Sequence, residues 1–597
     1  MPQISFTIDG QKVSCEKGTM VLQAALDAGV FVPHYCYHPA LSVAGNCRMC
    51  MVEVVPKPPP NAPAGWKPPP QKPAIACATE AAEGMEVLSE RSKMAKEARE
   101  GVLEFLLANH PLDCPVCDQA GECDLQDFSF QFGRATARFA EQKQVKGEKD
   151  FGHEVRLYGN RCINCTRCVR FSQEISGGAE ICQVNRGDHN VVDIFPGTKF
   201  DNALSGNVVD LCPVGALVSR DFLHKARVWQ LDATPSVCPH CSSGCSIEVH
   251  TRDEEVIRLK PRLNPEVNGF WMCDMGRLGY GFVNDAKRLA RFEKNVSGTL
   301  PGSLAAQQRE PVSFQDAVAT LARKLEEAGA QAFAVASAWM TNEELFLLSR
   351  LVPKERLALL SRAPWGEQRF FPKFGDSLRN PSLPGQHTRG KRHEDGATFV
   401  IESDRNPNRA GAERVLGKDA CSEARLASFI EACERGEVKA ALVFSGMPDF
   451  TPPERLVKAL DKVPFVAVSD LAPGPLVDRA HLVLPAAAFA EKEGTFTNGR
   501  GTTQRFMFSR PPPGMARSEL ETLHAVAKRL GKAKGEFSPE ATFADLAASV
   551  AEFKDLTWAG ALHKAPAWSP HFMANPPEAP HAPGAVPVHV REEAAKA

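Results

Sequence analysis

No apolar run in this 597-residue chain reaches the roughly 18 to 20 residues needed to cross a bilayer, so no direct membrane span is expected. The opening, MPQISFTIDGQKVSC, lacks a basic stretch followed by an apolar one, so no secretory signal is expected and the chain should stay in the cytoplasm. An excess of either charge is also missing. Seventy Lys and Arg stand against 72 Asp and Glu, net −2, which leaves no footprint for nucleic acid or an acidic membrane surface. No Ser-His-Asp set, glycine-rich dinucleotide loop or general-base pair presents itself, and no tandem repeat. The glycines of GVLEFLL and NGRGTT read as a helix and a turn. No catalytic residue is assigned.

What is present is cysteine, and it is unevenly spread. Seventeen of the nineteen precede residue 275; only Cys421 and Cys433 follow. Disulfides are rare in the cytoplasm, so close-set cysteines there read as metal-binding or catalytic.

At about 150 residues per domain the length predicts about four domains. Ile4, Phe6 and Ile8 alternate with polar residues, Asp9-Gly10 signals a hairpin and Val13 resumes the strand. Helical spacing follows from Met20 to Ala28 and stops at Gly29, which suits a β-grasp fold. Residues 56–73, PKPPPNAPAGWKPPPQKP, read as a polyproline-type surface loop or, more sharply, a docking strap. Ser89 to Ala108 reads as a helix whose Arg91, Lys93, Lys96, Glu97, Arg99 and Glu100 form a solvated face. From Gln331, short apolar strands (AFAVASA, ATFVIES, AALVFSG, FVAVSDL, AHLVLPAA) alternate with helices from Asn342, Cys421 and Pro453. That pattern predicts a parallel, doubly wound sheet. The last sixty residues turn Ala/Pro-rich, and their final stretch is expected to be a mobile tail.

Four constellations carry the chemistry. Cys36-x10-Cys47-x2-Cys50, completed by Cys77, suits a [2Fe–2S] cluster, with Gly45 and Asn46 turning backbone N–H groups toward sulfur; a zinc knuckle is the structural alternative. HPLDCPVCDQAGECDLQD supplies His110, one helical turn before Cys114, with Cys117 and Cys123. Alone, this set fits structural zinc and an iron–sulfur cluster equally. Cys162-x2-Cys165-x2-Cys168 is a [4Fe–4S] triple. Residue 172, where a ferredoxin would place a fourth cysteine, is Ser172, so Cys212 of VDLCPVGAL is the candidate and Cys182 its rival. Cys238-x2-Cys241-x3-Cys245-x27-Cys273 has the spacing of another [4Fe–4S] site. Cys15, Cys182, Cys421 and Cys433 remain as structural or incidental thiols.

HYCYHPALSVAGNCRMC, HPLDCPVCDQAGECDLQD, RCINCTRCVRF and SGNVVDLCPVGAL occur in that order. Together they closely resemble the large iron–sulfur subunit (the G subunit) of respiratory complex I, the NADH:quinone oxidoreductase. The resemblance is most specific over residues 1–230 and continues, as a molybdopterin-oxidoreductase-like region, through VLPAAAFAEKEGTFTNGRGTTQRF at 483–506. It implies an α+β and α/β multidomain chain. The expected divisions are a β-grasp [2Fe–2S] ferredoxin domain (1–88), a [4Fe–4S] segment with one histidine and three cysteines (89–128) and a four-cysteine, ferredoxin-like [4Fe–4S] domain (129–230). A molybdopterin-oxidoreductase-type [4Fe–4S] domain (231–290), a linker and helix (291–330), a truncated doubly wound α/β domain without pterin (331–535) and an Ala/Pro-rich C-terminal region (536–597) follow.

The resemblance further implies one [2Fe–2S] cluster on Cys36, Cys47, Cys50 and Cys77. It implies three [4Fe–4S] clusters, on His110/Cys114/Cys117/Cys123, on Cys162/Cys165/Cys168/Cys212 and on Cys238/Cys241/Cys245/Cys273. Electrons from a flavin/NADH-binding subunit would enter at the first site, pass to the Cys162 set and leave by the His110 set toward quinone, with the Cys238 set off that path. Other peripheral-arm subunits would be partners, proton translocation would belong to membrane partners, and the chain would lie peripherally on the cytoplasmic face of the inner membrane. Two departures stand out: the Pro-rich insertion separates Cys50 from Cys77 widely, and the C-terminal half is short.

The iron–sulfur subunit of an NAD-linked formate dehydrogenase or hydrogenase is the alternative. A molybdenum formate dehydrogenase should carry a Cys or selenocysteine ligand about 130 residues beyond its first cluster cysteine. Here that neighbourhood reads GEQRFFPKFGDS, and Cys421 is followed by Ser422. An iron-only hydrogenase needs clustered cysteines beyond residue 275, and a diaphorase subunit normally lacks the C-terminal 300 residues.

Overall fold

Asp9 and Gly10 both adopt positive φ (49° and 88°), the backbone of a two-residue turn, and join the antiparallel strands Gln3–Ile8 and Gln11–Glu16. The computed structural model describes residues 2–57, 61, 71–296, 309–373 and 393–563. The opening hairpin continues into a five-stranded mixed sheet with Glu86–Leu88, Met51–Val55 and Ala74–Ile75. The expected helix runs Val21–Asp27 and ends before Gly29 at φ 72°. Its Val21, Leu22 and Ala25 pack on Ile4, Phe6 and Ile8, as a β-grasp fold requires.

The Pro-rich insertion links two paired strands. Met51 pairs with Ile75 and Val52 with Ala74, so both ends of the insertion are tied together. The backbone N–H of Ala76 donates to the Cys50 carbonyl (3.0 Å), leaving Cys50 and Cys77 side by side despite the long intervening segment. Residues 58–60 and 62–70 lie outside the described residues, and with them the docking-strap reading.

The next helix is Lys93–Ala108, shorter than the expected Ser89 start because the Ser92 side chain caps it at Ala95 N. Arg99 corrects the solvated-face reading. It is fully buried, bonded to Ser89 Oγ (2.5 Å), the Met51 carbonyl (3.1 Å) and Glu90 (2.5 Å), and it fastens the helix to the sheet.

Residues 129–230 form a three-stranded sheet (Leu217–Ser219, Val155–Tyr158, Glu148–Asp150), a hairpin (Ile181–Val184 with Val191–Ile194) and the helices Arg167–Glu174 and Asn207–Leu211. A meander follows: Asp232–Val237, Ser246–Arg252 and Glu255–Pro261. One continuous core containing Tyr35, Phe128, Phe171, Phe200, Trp271 and Phe489 runs through all of these parts. Cys36, Cys123, Cys165, Cys168, Cys238, Cys245 and Cys273 all pack into it.

The C-terminal half is built on a seven-stranded sheet. Its parallel part has the order Leu357–Leu360, Ala332–Ser337, Ala440–Phe444, Phe465–Asp470, Leu482–Pro485. Helices Asn342–Leu351 and Glu519–Arg529 cover one face, Glu423–Glu434 and Glu454–Leu460 the other. Two expectations need correcting. ATFVIES is outside this sheet: its Phe399–Ile401 pairs with Gln368–Phe370 as a separate ribbon, and the apolar Leu357–Leu360 takes the expected place. The linker after residue 290 contains two edge strands, Glu293–Asn295 and Arg309–Pro311, which pair antiparallel and extend the sheet beside Leu482–Pro485. The Ala/Pro-rich region begins with an ordered helix, Pro539–Ser549, whose Phe543 and Leu546 join the core. The expected tail, residues 564–597, lies outside the described residues. NGRGTT is a turn, between strands Gly494–Thr497 and Thr503–Phe506. No described helix is long and apolar enough to cross a membrane.

Candidate metal centres

In the first set the four sulfurs form two pairs. Cys36 hydrogen-bonds to Cys47, which pulls its thiol down, while Cys50 is pulled down by its bond to Cys77. Cys47 and Cys77 are pushed up in return. A two-iron cluster needs two thiolates per iron, and the pairing Cys36/Cys47 and Cys50/Cys77 is that division. The loop turns at Gly45 (φ 63°), and the Asn46 N–H points at the Cys36 sulfur as expected; the second N–H aimed at sulfur is that of Cys36 (to Cys47 Sγ, 3.4 Å), not of Gly45.

The third set gathers at the start of the helix Arg167–Glu174. Cys165, Cys168 and Cys212 lie within electrostatic reach of one another, and Cys162 of all three. Cys182 is elsewhere, on a hairpin with its sulfur directed at the Asp193 carbonyl (3.6 Å). Burial pushes Cys162, Cys165 and Cys212 each to about 11. Four such thiols cannot share negative charge unaided; a cationic cluster core would take their protons' place.

The fourth set is almost fully enclosed. Cys238 N–H donates to the Cys245 carbonyl (2.8 Å), closing the loop around Cys241. Cys273 caps the short helix Asp274–Leu278, its sulfur accepting from Gly276 N–H (3.3 Å). A Cβ on Gly276 would meet Cys238 Sγ at 3.0 Å and Cys273 Sγ at 3.5 Å, so residues 35 positions apart in sequence present their sulfurs to one small space. Burial pushes Cys238 and Cys245 up and Cys273 to about 12.

The second set is the most open. Cys117 and Cys123 are buried but Cys114 is exposed. His110 corrects one expectation: the helix ends at Ala108, so the spacing to Cys114 spans a Pro111 loop, not a helical turn. Lys143 Nζ holds the carbonyls of Leu107, Ala108 and His110 (2.9, 3.0 and 2.7 Å), fixing that end of the helix. Burial, with Lys143 and Arg161 beside it, pulls His110 down to about 4, which keeps the imidazole neutral as a ligand requires. Arg161, paired with Asp113 (2.9 Å), faces both His110 and Cys117.

Two sets of contacts join these sites. Asn46, next to Cys47, donates through Nδ2 to the Asn164 carbonyl (3.2 Å) in the Cys162–Cys165 loop. Asp124 N–H, next to Cys123, donates to the Pro213 carbonyl (3.1 Å) in the Cys212 loop, and Gly215 of that loop abuts Cys117. The third set thus lies between the first and the second.

Family models match five stretches of the chain. They are "2Fe-2S iron-sulfur cluster binding domain" (1–92), "NADH-ubiquinone oxidoreductase-G iron-sulfur binding region" (99–138) and "NADH-quinone oxidoreductase subunit 3, ferredoxin-like domain" (152–218). "Molybdopterin oxidoreductase Fe4S4 domain" (231–285) and "Molybdopterin oxidoreductase" (382–529) complete the series. The NADH-quinone oxidoreductase G subunit of Rickettsia felis is 39% identical over 353 residues, 59% of this chain and 49% of that one. The chain is a homologue of the NADH-quinone oxidoreductase G subunit. The Rickettsia bellii G subunit is 45% identical over 277 residues (46% and 39% of the two chains). The Neurospora crassa mitochondrial NADH-ubiquinone oxidoreductase 78 kDa subunit is 43% identical over 322 residues (54% and 40%). The matches span at most about half the length of these relatives. Both [2Fe–2S] and [4Fe–4S] binding are carried by the matched regions.

The molybdopterin-type region of this G-subunit homologue can be tested for a pterin. Ligands of open α/β sheets bind beyond the carboxyl ends of the strands. Here that space holds a closed ionic network. Lys492 Nζ, buried, bonds to Glu344 (3.0 Å) and Glu519 (2.9 Å), Glu343 takes the N–H and hydroxyl of Thr495 (3.0 and 2.6 Å), and Arg288 pairs with buried Glu491 (2.7 Å). These carboxylates are already committed to internal partners.

Proposed function

We propose that the chain is the iron–sulfur electron-transfer subunit of an NADH:quinone oxidoreductase. In this reading it takes electrons one at a time from a flavin/NADH-binding subunit and passes them toward quinone, while membrane partners translocate protons. The ligands are Cys36, Cys47, Cys50 and Cys77 for [2Fe–2S], and three sets for [4Fe–4S]: His110, Cys114, Cys117 and Cys123; Cys162, Cys165, Cys168 and Cys212; Cys238, Cys241, Cys245 and Cys273. Bound there, the clusters would supply one-electron chemistry at iron. The chain contributes deprotonatable thiols, N–H groups aimed at sulfur and, around most of the cysteines, a shared core.

The observation that carries the reading is the middle position of the Cys162 set. Its loops touch the Cys47 side through Asn46 and the Cys117 side through Gly215. A structural protein with independent metal staples has no need of such a series. No specific observation favours a formate dehydrogenase or hydrogenase subunit. The chain would associate peripherally, at the cytoplasmic face of the inner membrane.

The test is reduction of the purified chain by NADH with and without a flavin/NADH-binding subunit of complex I, followed by EPR. Signals of one [2Fe–2S] and of [4Fe–4S] centres should develop only with the partner present. Failure of NADH to reduce any centre in that assembly would remove the proposal.

A further inference from the structure

Two buried arginines stand between the first and third sites. Arg167 and Arg170 lie on the helix Arg167–Glu174 and are each 7% exposed. Arg167 donates to the carbonyls of Tyr37 (2.7 Å) and Leu211 (3.2 Å), the neighbours of Cys36 and Cys212. Arg170 donates to the carbonyls of Cys36 (2.5 Å), Cys165 (3.4 Å) and Ser42, and through Nε to Thr166 Oγ1 (3.3 Å). All of these acceptors are neutral. The nearby carboxylate Glu174 spends its two oxygens on the Ser42 N–H and hydroxyl (2.8 and 2.5 Å). Asp124 is the other carboxylate within electrostatic reach, on the side of Arg167.

Two buried guanidinium groups that bond only neutral acceptors, with one carboxylate within electrostatic reach of each, are favoured by any further counter-charge placed beside them. Four thiolates give each cluster a net negative charge, and reduction adds to it. We propose that Arg167 and Arg170 are positioning residues that stabilise the added electron at both the Cys36 and the Cys162 sets, raising the two midpoint potentials together. In a water-poor interior the attraction is weakly screened, and a cation placed between two centres acts on both. The same hydrogen bonds hold the two ligand loops at a constant separation. This inference rests on the cluster assignment made above.

The test is an EPR redox titration of Arg170→Gln and Arg170→Lys in the complete, cluster-loaded chain. Arg170→Gln should lower the midpoints of the [2Fe–2S] centre and the Cys162-set centre and leave those of the His110 and Cys238 sets in place. Arg170→Lys, which keeps the charge, should stay close to wild type. Unchanged midpoints in Arg170→Gln, or an equal fall in Arg170→Lys, would overturn the proposal, because a loop clamp without electrostatic effect predicts no such ordering. If Arg170→Gln fails to assemble, Arg167→Gln takes its place: midpoints lowered at both centres support the charge argument and unchanged ones refute it. If wild type itself lacks both signals, the cluster assignment fails, and this inference with it.

Discussion

A side chain on Gly215 would place its Cβ 2.1 Å from the Sγ of Cys117. Gly215 belongs to the loop that carries Cys212, and Cys117 to the His110 set, so this contact is where the second and third sites meet. Carbon and sulfur need well over 3 Å, and the chain cannot yield locally because Cys117 is fixed by its own loop. Gly215→Ala should therefore displace Cys117 and abolish the EPR signal of the His110-set cluster, while the [2Fe–2S] and Cys238-set signals remain. An unaltered His110-set signal would show that the two loops are not in contact.

Cys212 and Cys182 compete in the sequence for the place of fourth ligand to the Cys162 set. Only Cys212 is within electrostatic reach of Cys162 and Cys165. Cys212→Ala should remove that cluster's signal and about four irons per chain, the content of one [4Fe–4S] cluster, whereas Cys182→Ala should leave iron content at the wild-type level. Iron analysis with the reverse pattern would move the ligand to Cys182.

The His110 site tests a charge argument. A neutral imidazole in place of an anionic thiolate makes a cluster less negative and raises its potential, as histidine does in Rieske centres. Held down to about 4 by burial and by Lys143 and Arg161, this imidazole stays neutral across the working range. His110→Cys should lower the midpoint of that cluster alone. An EPR titration giving no shift, or an upward one, would count against it.

In the C-terminal domain the ammonium of Lys492 is buried between Glu344 and Glu519. Burial alone would pull Lys492 down, but the two carboxylates overcome it and hold the ammonium charged. Lys492→Met would leave two buried carboxylates uncompensated, at a cost of about 3–5 kcal/mol. A urea midpoint well below wild type is expected, recovered in large part when Glu344→Gln and Glu519→Gln are added. An unchanged midpoint in the single variant would show that the network contributes little.

Much of the site could be read from spacing, because a cluster demands thiols at short, fixed intervals whatever the fold around them. Cys36, Cys47, Cys50 and Cys77 are brought together as their pattern suggests, even across the Pro-rich insertion. The contacts between sites could not be read. Nothing local marks Gly215 as the residue facing Cys117, and Arg167 and Arg170 look in sequence like ordinary helix-surface cations; their only signal is a place inside the cysteine motif. Arg99 misleads for the same reason, since charge alone does not say which face is buried. In the α/β domain, ATFVIES has the composition of a core strand yet pairs only with Gln368–Phe370, and the three-residue edge strands EKN and REP are too short to show a period. Strand identity there is decided by tertiary pairing, not by propensity.

Asp470 makes the domain's stability depend on pH in an unusual direction. It ends the strand Phe465–Asp470, and burial pushes its carboxyl up from the ordinary 3.8 to about 7, against hydrogen bonds from Leu471, Ser445 and Gly446. Between those two values the folded chain holds a proton that the unfolded chain has lost. The group's contribution is therefore fully present below about pH 4 and is lost as pH rises through 7, with a slope of up to about 1.4 kcal/mol per pH unit. Other carboxylates, such as Glu122, lie below their ordinary values and oppose the trend, so the effect must be read as a difference. Urea midpoints of wild type and Asp470→Asn, measured from about pH 5 to 8 to cover that window, should diverge as the pH rises. Wild type should lose stability relative to the variant, whose neutral amide never ionises. Parallel curves, or a wild type that gains on the variant with rising pH, would mean that Asp470 is ionised throughout and that its burial is relieved by water.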